Sequence, residues 1–359
     1  MRIFSRTFDA QFRQNSERGG IVFLGKLYYN GSRKSCGRIG NTMRYANFCG
    51  RETSVIALGT MDFGGKIGEG QAREFMDAYV EIGGNFIDTA RIYGDFAREI
   101  QGGSEQVIGR WLEDRRCREK IVLGTKGGHP DVHSMHTGRL SRSEILDDMR
   151  RSLDNLHTDC VDIYWLHRDD PTRPVEDILE SLTALVEQGM TRFVGVSNWS
   201  AERIVEANAC AARRGLVKLC ANQPQFSLAR QVVVEDDTLR QMDGETYAMH
   251  VRENLPCVCF SSQAKGFLTK MDISGEAVLT DKARRRYLCP ENLAVLERAQ
   301  ALSRETGLSV NAISLAFLTS QPFPTFPIAG VSKMAHIDAL REAGDASLTA
   351  QQRDGLRRL

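Results

Sequence analysis

The sequence predicts an α/β protein in which eight parallel strands, each followed by a helix, close into a single (β/α)8 barrel. Short apolar runs rich in β-branched residues recur along the chain, and segments with helical spacing lie between most of them. The runs are hydrophobic throughout, which is typical of parallel strands buried on both faces. Eight such units in about 300 residues favour a barrel over an open doubly wound sheet, and no GxGxxG follows the first strand.

The elements follow from these runs in chain order. The predicted strands are 54–60, 85–90, 120–126, 160–167, 192–198, 217–223, 256–262 and 326–331. The clearest predicted helix, PVEDILESLTALVEQGM, repeats its apolar residues on one face. A second predicted helix follows Ser200, a suitable N-cap, and ends at Gly215, a suitable C′ residue. The C-terminal segment is expected to form a surface helix outside the barrel, with Ser347 as its cap.

The composition excludes several classes of protein. The chain has 359 residues with 47 Lys and Arg against 46 Asp and Glu, so bulk electrostatic binding to nucleic acid is not expected. No apolar stretch approaches the roughly 18 residues that cross a bilayer, so no membrane partner is expected. The nine cysteines contain no CxxC pair, which argues against a disulfide framework and a zinc ribbon. These features predict a protein of a reducing compartment, the cytoplasm.

The first 42 residues form a basic N-terminal extension, which carries eight Lys and Arg residues against Asp9 and Glu17. We expect this extension to be disordered, and the barrel to occupy residues 43–359. The alternatives are an organellar transit peptide, which the Arg-rich composition allows, and a start codon annotated upstream of a true start at Met43.

Polar residues end nearly every predicted strand or begin the turn after it. In such barrels the active site lies at the carboxyl ends of the strands. Polar groups buried singly would be costly, so one shared polar mouth explains them together. These residues are Thr60, Asp88, Lys126, His167, Ser197 with Asn198, Asn222 with Gln223, Ser261 and Gly330.

Four residues of this mouth suggest acid–base chemistry. Tyr93 follows Asp88 by five residues, close enough to fold back over the mouth, while Lys126 and His167 end the next two strands. Free tyrosine is a poor proton donor at neutral pH, but a nearby ammonium favours the phenolate. Asp88 is suited to keeping such an ammonium charged, and His167 is suited to orienting a carbonyl oxygen. A site of this kind would protonate an oxyanion as a hydride reaches its carbon.

The stretch from Met43 to Leu359 resembles the aldo-keto reductases over nearly the whole length of that family. The matching segments, in order, are MRYANFCGRETSVIALGTMDFGG, GGNFIDTARIYG, IVLGTKGG, DIYWLHRDDP, FVGVSNWS, ANQPQFSL, CFSSQAKGFLTK and PIAGVSKMAHI. The resemblance implies a catalytic tetrad of Asp88, Tyr93, Lys126 and His167, with NAD(P)H bound across the barrel mouth.

The resemblance also implies a set of cofactor-binding residues. Ser197, Asn198 and Gln223 match positions that bind the nicotinamide carboxamide, and Phe260 matches an aromatic position that stacks on the nicotinamide. Leu340 stands where family members often have Asn, which weakens the preference for NADP(H), although Lys333 still offers a cation to a 2′-phosphate. NADP(H) is therefore expected over NAD(H). The full set is Gly59, Thr60, Met61, Asp88, Ser197, Asn198, Gln223, Phe260, Ser261, Gln263, Lys265, Gly330, Ser332, Lys333 and His336.

Several residues allow simpler interpretations. Asp88 and Lys126 would also suit a purely structural ion pair. His129, His133 and His136 lie close in sequence, but nearby Gly and Pro residues predict a loop, so no metal is expected and these histidines are expected to line a substrate loop. Trp165 and Trp199 are expected either to flank the mouth, where they could touch substrate, or to pack against neighbouring helices. Cys257 and Cys259 are expected to be buried spectator thiols.

The functional hypothesis is an NAD(P)H-dependent oxidoreductase that reduces a small aldehyde or ketone to an alcohol, reversibly, with Tyr93 as the general acid. One alternative is a regulatory subunit on the same fold that holds the cofactor with little turnover. A barrel hydrolase with paired carboxylates is a second alternative, but only Asp88 stands as a single acid at a strand end.

Overall fold

The computed structural model describes residues 43–94 and 102–357 of the chain. The predicted N-terminal extension, residues 1–42, lies outside this described part. In residues 43–94 and 102–357, eight parallel strands close into a barrel, which confirms the predicted fold class. The first two strands of the chain, β1 (Tyr45–Phe48) and β2 (Arg51–Ser54), lie outside the barrel. The barrel strands, in spatial order, are β3 (Ala57–Gly59), β4 (Phe86–Asp88), β5 (Val122–Gly127), β6 (Val161–Leu166), β7 (Thr191–Ser197), β8 (Asn222–Gln223), β9 (Cys257–Cys259) and β10 (Thr325–Gly330), which pairs with β3.

Helices follow the strands and surround the barrel. They are α1 (Glu69–Glu81), α2 (Gly103–Arg115), α3 (Arg142–Asn155), α4 (Val175–Glu187), α5 (Ala201–Arg214), α6 (Gly244–Glu253), α7 (Phe267–Ser274), α8 (Asp281–Tyr287), α9 (Pro290–Thr306), α10 (Val310–Thr319), α11 (Met334–Asp345) and α12 (Ala350–Leu356). The predicted caps of α5 are confirmed. The Ser200 side chain accepts a hydrogen bond from the Arg203 amide, and Gly215 takes the left-handed conformation that ends the helix.

A hairpin that sequence analysis did not predict covers the amino-terminal end of the barrel. Strands β1 (Tyr45–Phe48) and β2 (Arg51–Ser54) pair antiparallel, and the turn between them has positive φ angles at Cys49 (52°) and Gly50 (85°). The Phe48 ring lies 5.5 Å from that of Phe86 and 5.2 Å from that of Phe326. The hairpin therefore closes the floor of the barrel with an aromatic side chain.

Several predicted strands are longer than the observed ones. The run 54–60 is divided between the end of β2 and the short β3. The run 217–223 forms only the two-residue β8, because helix side chains bind its backbone earlier. Asn208 accepts from the Leu219 amide at 2.8 Å, and Thr183 accepts from the Val217 amide at 3.0 Å. Those amides are therefore satisfied without a neighbouring strand.

The barrel has an inner core distinct from the apolar layer between strands and helices. Trp165 lies in this inner core with no solvent exposure, together with Phe86, Ile163 and Phe326. It does not flank the mouth, contrary to the expectation, because its position on β6 pairs with the inward-facing Lys126. Trp199 is also buried, and its ring packs under the Arg203 guanidinium at 5.0 Å.

The predicted cap of the C-terminal helix is wrong. The helix α12 begins after Thr349, whose side chain accepts from the Gln352 amide while the Gln352 side chain accepts from the Thr349 amide. This reciprocal pair is a capping box. Ser347 cannot form one, because no Glu or Gln stands three residues after it. None of the helices in the described ranges has the length and apolarity needed to span a membrane.

Candidate active site

The parallel register of the barrel brings the ends of three neighbouring strands together. Asp88 ends β4 and pairs in register with Gly124 of β5, while Lys126 of β5 pairs with Trp165 of β6. His167 follows the last residue of β6, and its amide donates to the Gly127 carbonyl at 2.8 Å. The side chains predicted to be catalytic thus lie at the carboxyl end of the barrel, where such folds place their active sites.

Lys126 and Asp88 form a buried ion pair. Each side chain is at most 2% exposed, and the Lys126 ammonium donates to Asp88 Oδ2 and, at 2.7 Å, to the Thr89 carbonyl. The second carboxylate oxygen of Asp88 accepts from Gln223 Nε2 at 3.0 Å. Burial raises the Asp88 pKa and works against the charge on Lys126, but Asp88 and Tyr93 together outweigh burial at the ammonium and raise the Lys126 pKa. The lysine is therefore a fixed cation at neutral pH.

Tyr93 lies directly over this cation. It belongs to the turn after β4, and its backbone is held by hydrogen bonds from its own amide to Ala90 and from the Ser104 amide to its carbonyl. The Lys126 Nζ is 4.7 Å from the centre of the Tyr93 ring. The phenol therefore faces a fixed positive charge.

His167 is a neutral imidazole. Burial, followed by the positive groups around it, holds the His167 pKa well below its ordinary value of 6.5. Its Nδ1 is buried and has no hydrogen-bond partner among the described residues. A proton on Nδ1 would be a buried donor without an acceptor, so the proton belongs on Nε2. The ring centre lies 5.9 Å from that of Tyr93, and the two rings meet edge to face.

Two residues that were not predicted as site residues lie against His167. The His129 ring is 4.7 Å from the His167 ring, edge to face. The buried Arg168 guanidinium donates to the His167 carbonyl at 2.9 Å and to Thr238 Oγ1 at 3.0 Å. Arg168 directly follows a predicted strand end, and that position is the signal that would have found it. His129 was singled out in sequence only as one of three nearby histidines expected to line a substrate loop.

The three residues expected at the carboxamide lie in one hydrogen-bonded network. Asn198 Nδ2 donates to the His167 carbonyl and to Ser197 Oγ, each at 3.0 Å. Ser197 Oγ donates to the Gln223 carbonyl at 2.8 Å, and the Gln223 amide reaches Asp88. The network links the residues expected to bind the carboxamide to the Lys126–Asp88 pair, so a displacement of one group would shift the other.

The segment after β9 carries cations and unusual backbone. Phe260 is half-buried at the edge of the inner core, and Ser261, Ala264 and Lys265 have positive φ angles of 52°, 48° and 56°. Gln263 Nε2 donates to Asn311 Oδ1 at 3.1 Å. Although Lys265 as a whole is exposed, partial desolvation of its ammonium and the nearby Arg286 and Lys282 cations lower its pKa.

The predicted adenosine end lies after β10 and at the start of α11. Gly330, Ser332 and Lys333 are exposed, and the Ser332 amide donates to His336 Nδ1 at 3.2 Å. Leu340 is 1% exposed and packs in the apolar core. A buried leucine offers no polar atom to an adenosine.

The remaining predicted cofactor residues come from the segment after β3. Gly59 approaches β10 so closely that a Cβ there would meet Ile328 Cγ2 at 2.7 Å. Thr60 is buried and donates to the Asp88 carbonyl at 3.0 Å, whereas Met61 is 47% exposed. Thr60 therefore supports Asp88, and Met61 offers an apolar surface at the mouth.

The donor set fits a dinucleotide. Lys265 and Lys333 are exposed cations that could bind phosphate groups, and the half-buried Phe260 ring could offer an apolar face to a nicotinamide. No group of three or more His, Cys, Asp or Glu side chains that could hold a metal ion occurs in residues 43–94 and 102–357. His129 is buried in the loop after β5, whereas His133 and His136 are exposed on it.

Comparison with known proteins gives consistent matches. The model of the aldo/keto reductase family matches residues 55–359. A probable voltage-gated potassium channel subunit beta from Oryza sativa subsp. japonica is 27% identical over 81% of this chain and 88% of its own length. Norsolorinic acid reductase from Aspergillus flavus is 30% identical over 82% of this chain and 74% of its own. Aryl-alcohol dehydrogenase [NADP(+)] from Phanerodontia chrysosporium is 27% identical over 88% and 84%.

Proposed function

The chain belongs to the aldo/keto reductase family and is an NAD(P)-dependent carbonyl-reducing enzyme, and from this premise we propose that Tyr93 is its general acid and that the reaction is reversible. The observation that carries the proposal is the contact of Tyr93 with the buried Lys126–Asp88 pair on one side and with neutral His167 on the other. The substrates are aldehydes or ketones and the corresponding alcohols.

The proton chemistry is assigned to Tyr93 and Lys126. As a carbonyl oxygen gains negative charge, the Tyr93 hydroxyl gives it a proton, and the Lys126 ammonium stabilises the phenolate left behind. The Asp88 carboxylate keeps the ammonium charged and in place. The carboxylate is itself held by Gln223, which donates to its second oxygen. In the alcohol-oxidising direction Tyr93 accepts the same proton.

His167 is assigned to orienting the carbonyl. Its pKa is so low that the ring remains neutral, and the tautomer with the proton on Nε2 presents a donor. A neutral donor fixes the carbonyl oxygen without competing with Tyr93 for the proton transfer. The backbone of His167 is hydrogen-bonded at both its amide and its carbonyl, so the position of the ring is well defined.

We assign the cofactor site to the residues that sequence analysis selected. When bound, the nicotinamide supplies the hydride that the carbonyl carbon receives. Ser197, Asn198 and Gln223 would hold its carboxamide, Phe260 would support its ring, and Lys265 would neutralise the pyrophosphate. Lys333 would bind a 2′-phosphate, which makes NADP(H) the expected cofactor. The name of the Phanerodontia relative, which specifies NADP(+), supports this preference.

The test is consumption of NADPH, and separately of NADH, by the purified protein with a reactive aromatic aldehyde such as 4-nitrobenzaldehyde. Tyr93→Phe is expected to lower kcat by about 100-fold or more while the affinity for NADPH is retained. Tyr247→Phe is the matched control, because its hydroxyl bonds to Gln321 on the helical shell. Full turnover of Tyr93→Phe would refute the assigned role.

A cofactor-binding regulatory subunit is the second candidate, and the name of the rice relative favours it. Tight binding of NADPH without turnover of any tested aldehyde would support this candidate. Tyr93-dependent turnover would support the reductase.

A further inference from the structure

His129 forms one wall of the site together with the proposed catalytic rings. It stands two residues after the end of β5, and its side chain is buried. Its ring meets the His167 ring edge to face at 4.7 Å, and His167 in turn meets Tyr93 at 5.9 Å. The His129 backbone is also fixed, because Arg139 Nη1 donates to its carbonyl at 3.0 Å. The imidazole therefore has a defined place beside the ring proposed to hold the carbonyl.

The hydrogen bonding of His129 defines its tautomer. Its Nδ1 lies 2.6 Å from the Pro130 carbonyl oxygen, which can only accept, so the proton is on Nδ1. Burial, followed by the nearby Arg168 cation, lowers the His129 pKa to about 4, so the ring is neutral at pH 7. A neutral imidazole protonated on Nδ1 has a bare Nε2, which is an acceptor only.

Two other polar groups beside His129 present donors. His167 presents an Nε2 proton, and the Arg168 guanidinium has no acceptor atom. Arg168 is moreover bound to Thr238, to the His167 carbonyl and to Asp236 at 3.4 Å. A substrate held by its carbonyl oxygen at His167 therefore meets an acceptor at the neighbouring ring. Because the two ring centres are 4.7 Å apart, this acceptor belongs to a ring in contact with the one proposed to hold the carbonyl.

We propose that His129 determines substrate specificity by accepting a hydrogen bond from a substrate hydroxyl one or two carbons from the carbonyl carbon. This proposal rests on the proposed function. The enzyme then prefers hydroxylated aldehydes and ketones to their unsubstituted analogues. An analogue without the hydroxyl leaves Nε2 desolvated and unpaired when it binds, and that loss is the source of the discrimination.

The test compares glyceraldehyde with propanal, which share a three-carbon chain, as substrates with NADPH. The measured quantity is the ratio of their kcat/KM values in each protein. Hydration of the aldehydes is the same for all variants and cancels when these ratios are compared. His129→Phe keeps an aromatic ring against His167 but removes the acceptor, so the ratio is expected to fall about tenfold. His129→Gln keeps a carbonyl acceptor and is expected to retain most of the preference.

Tyr247→Phe is again the control, because the Tyr247 hydroxyl bonds to Gln321, and its ratio should equal that of the unaltered protein. A titration with NADPH reports whether each variant is folded. An equal loss on both aldehydes in His129→Phe, with the ratio unchanged, would show that His129 only packs against His167 and would overturn this inference alone. Failure of the unaltered protein to oxidise NADPH with these aldehydes and with 4-nitrobenzaldehyde would instead refute the proposed function, and this inference with it.

Discussion

The ammonium of Lys126 lies 4.7 Å from the centre of the Tyr93 ring. The same ammonium is bound to Asp88 and to the Thr89 carbonyl, so it is held in place from below and faces the phenol from within the barrel. The position of this one cation links the stability of the barrel mouth to the proposed proton transfer.

Replacing Lys126 should therefore affect stability and turnover in separable ways. Lys126→Met leaves the Asp88 carboxylate buried without its cation, which should lower the free energy of unfolding by about 3–5 kcal/mol. The double variant Lys126→Met/Asp88→Asn removes both charges and should recover part of that loss, while turnover stays low because Tyr93 still lacks its cation. Urea unfolding and NADPH oxidation measure the two effects. A double variant less stable than the single one would contradict the prediction.

Cofactor preference should depend on Lys333. Lys333→Met is expected to raise the Kd of NADPH about tenfold and to leave that of NADH unchanged, because only NADPH carries the 2′-phosphate. Fluorescence titration with each cofactor measures the change. Lys218→Met serves as the control, since Lys218 is exposed before β8, at the opposite end of the barrel. Equal weakening of both cofactors by Lys333→Met would count against a 2′-phosphate contact.

His250 should make the protein sensitive to acid. Its Nδ1 donates to the Leu255 carbonyl at 2.7 Å, its Nε2 accepts from Asn222 at 3.2 Å, and burial lowers its pKa from 6.5 to about 4. The folded pKa is below the unfolded one, so the unfolded chain binds this proton first. The free energy of unfolding therefore falls as the pH drops from 6.5 towards 4.

The His250→Gln variant lacks the imidazole whose protonation makes the unfolding free energy depend on pH in this range. The slope of unfolding free energy against pH should become shallower by up to about 1.4 kcal/mol per pH unit in that window. Denaturant unfolding at a series of pH values measures the slope. His133→Gln, at an exposed position, should leave it unchanged. An unaltered slope in His250→Gln would mean that other groups dominate the acid response.

Gly195 should tolerate no side chain. A Cβ at this position on β7 would lie 2.5 Å from Trp165 Cζ3 and 2.9 Å from the Ala221 carbonyl oxygen. Gly195→Ala should lower the free energy of unfolding by about 1–3 kcal/mol because neither neighbour can move freely. At Gly70 in α1 an added Cβ meets open space, so Gly70→Ala should be neutral or slightly stabilising. Thermal or chemical unfolding distinguishes the two, and equal effects would contradict the packing argument.

Much of the barrel could be predicted because its strands are local apolar runs and its helices have local caps. The Ser200 cap and the Gly215 end of α5 depend on a few neighbouring residues, and both were predicted correctly. The β1–β2 hairpin was missed because its stability comes from Phe48 packing on Phe86 and Phe326, which are distant in sequence. The cap of α12 was misplaced by two residues because both Ser and Thr can cap a helix, and only the reciprocal bond with Gln352 selects Thr349.

The sequence by itself determined which residues end the barrel strands. Since parallel strands that close a barrel all end at the same side, Asp88, Lys126 and His167 had to lie near one another. That inference needs only strand order and the position of each residue in its own strand.

Only the tertiary structure decided how loops and ring faces meet at that end. His129 meets His167 edge to face, and Arg168 donates a hydrogen bond to Thr238. These contacts join segments that approach each other only because the barrel closes in this register. Trp165 is likewise inside the barrel because of the register of β6 with β5. Such contacts have no periodic signature in the sequence, because they are set by where each strand stops relative to its neighbours.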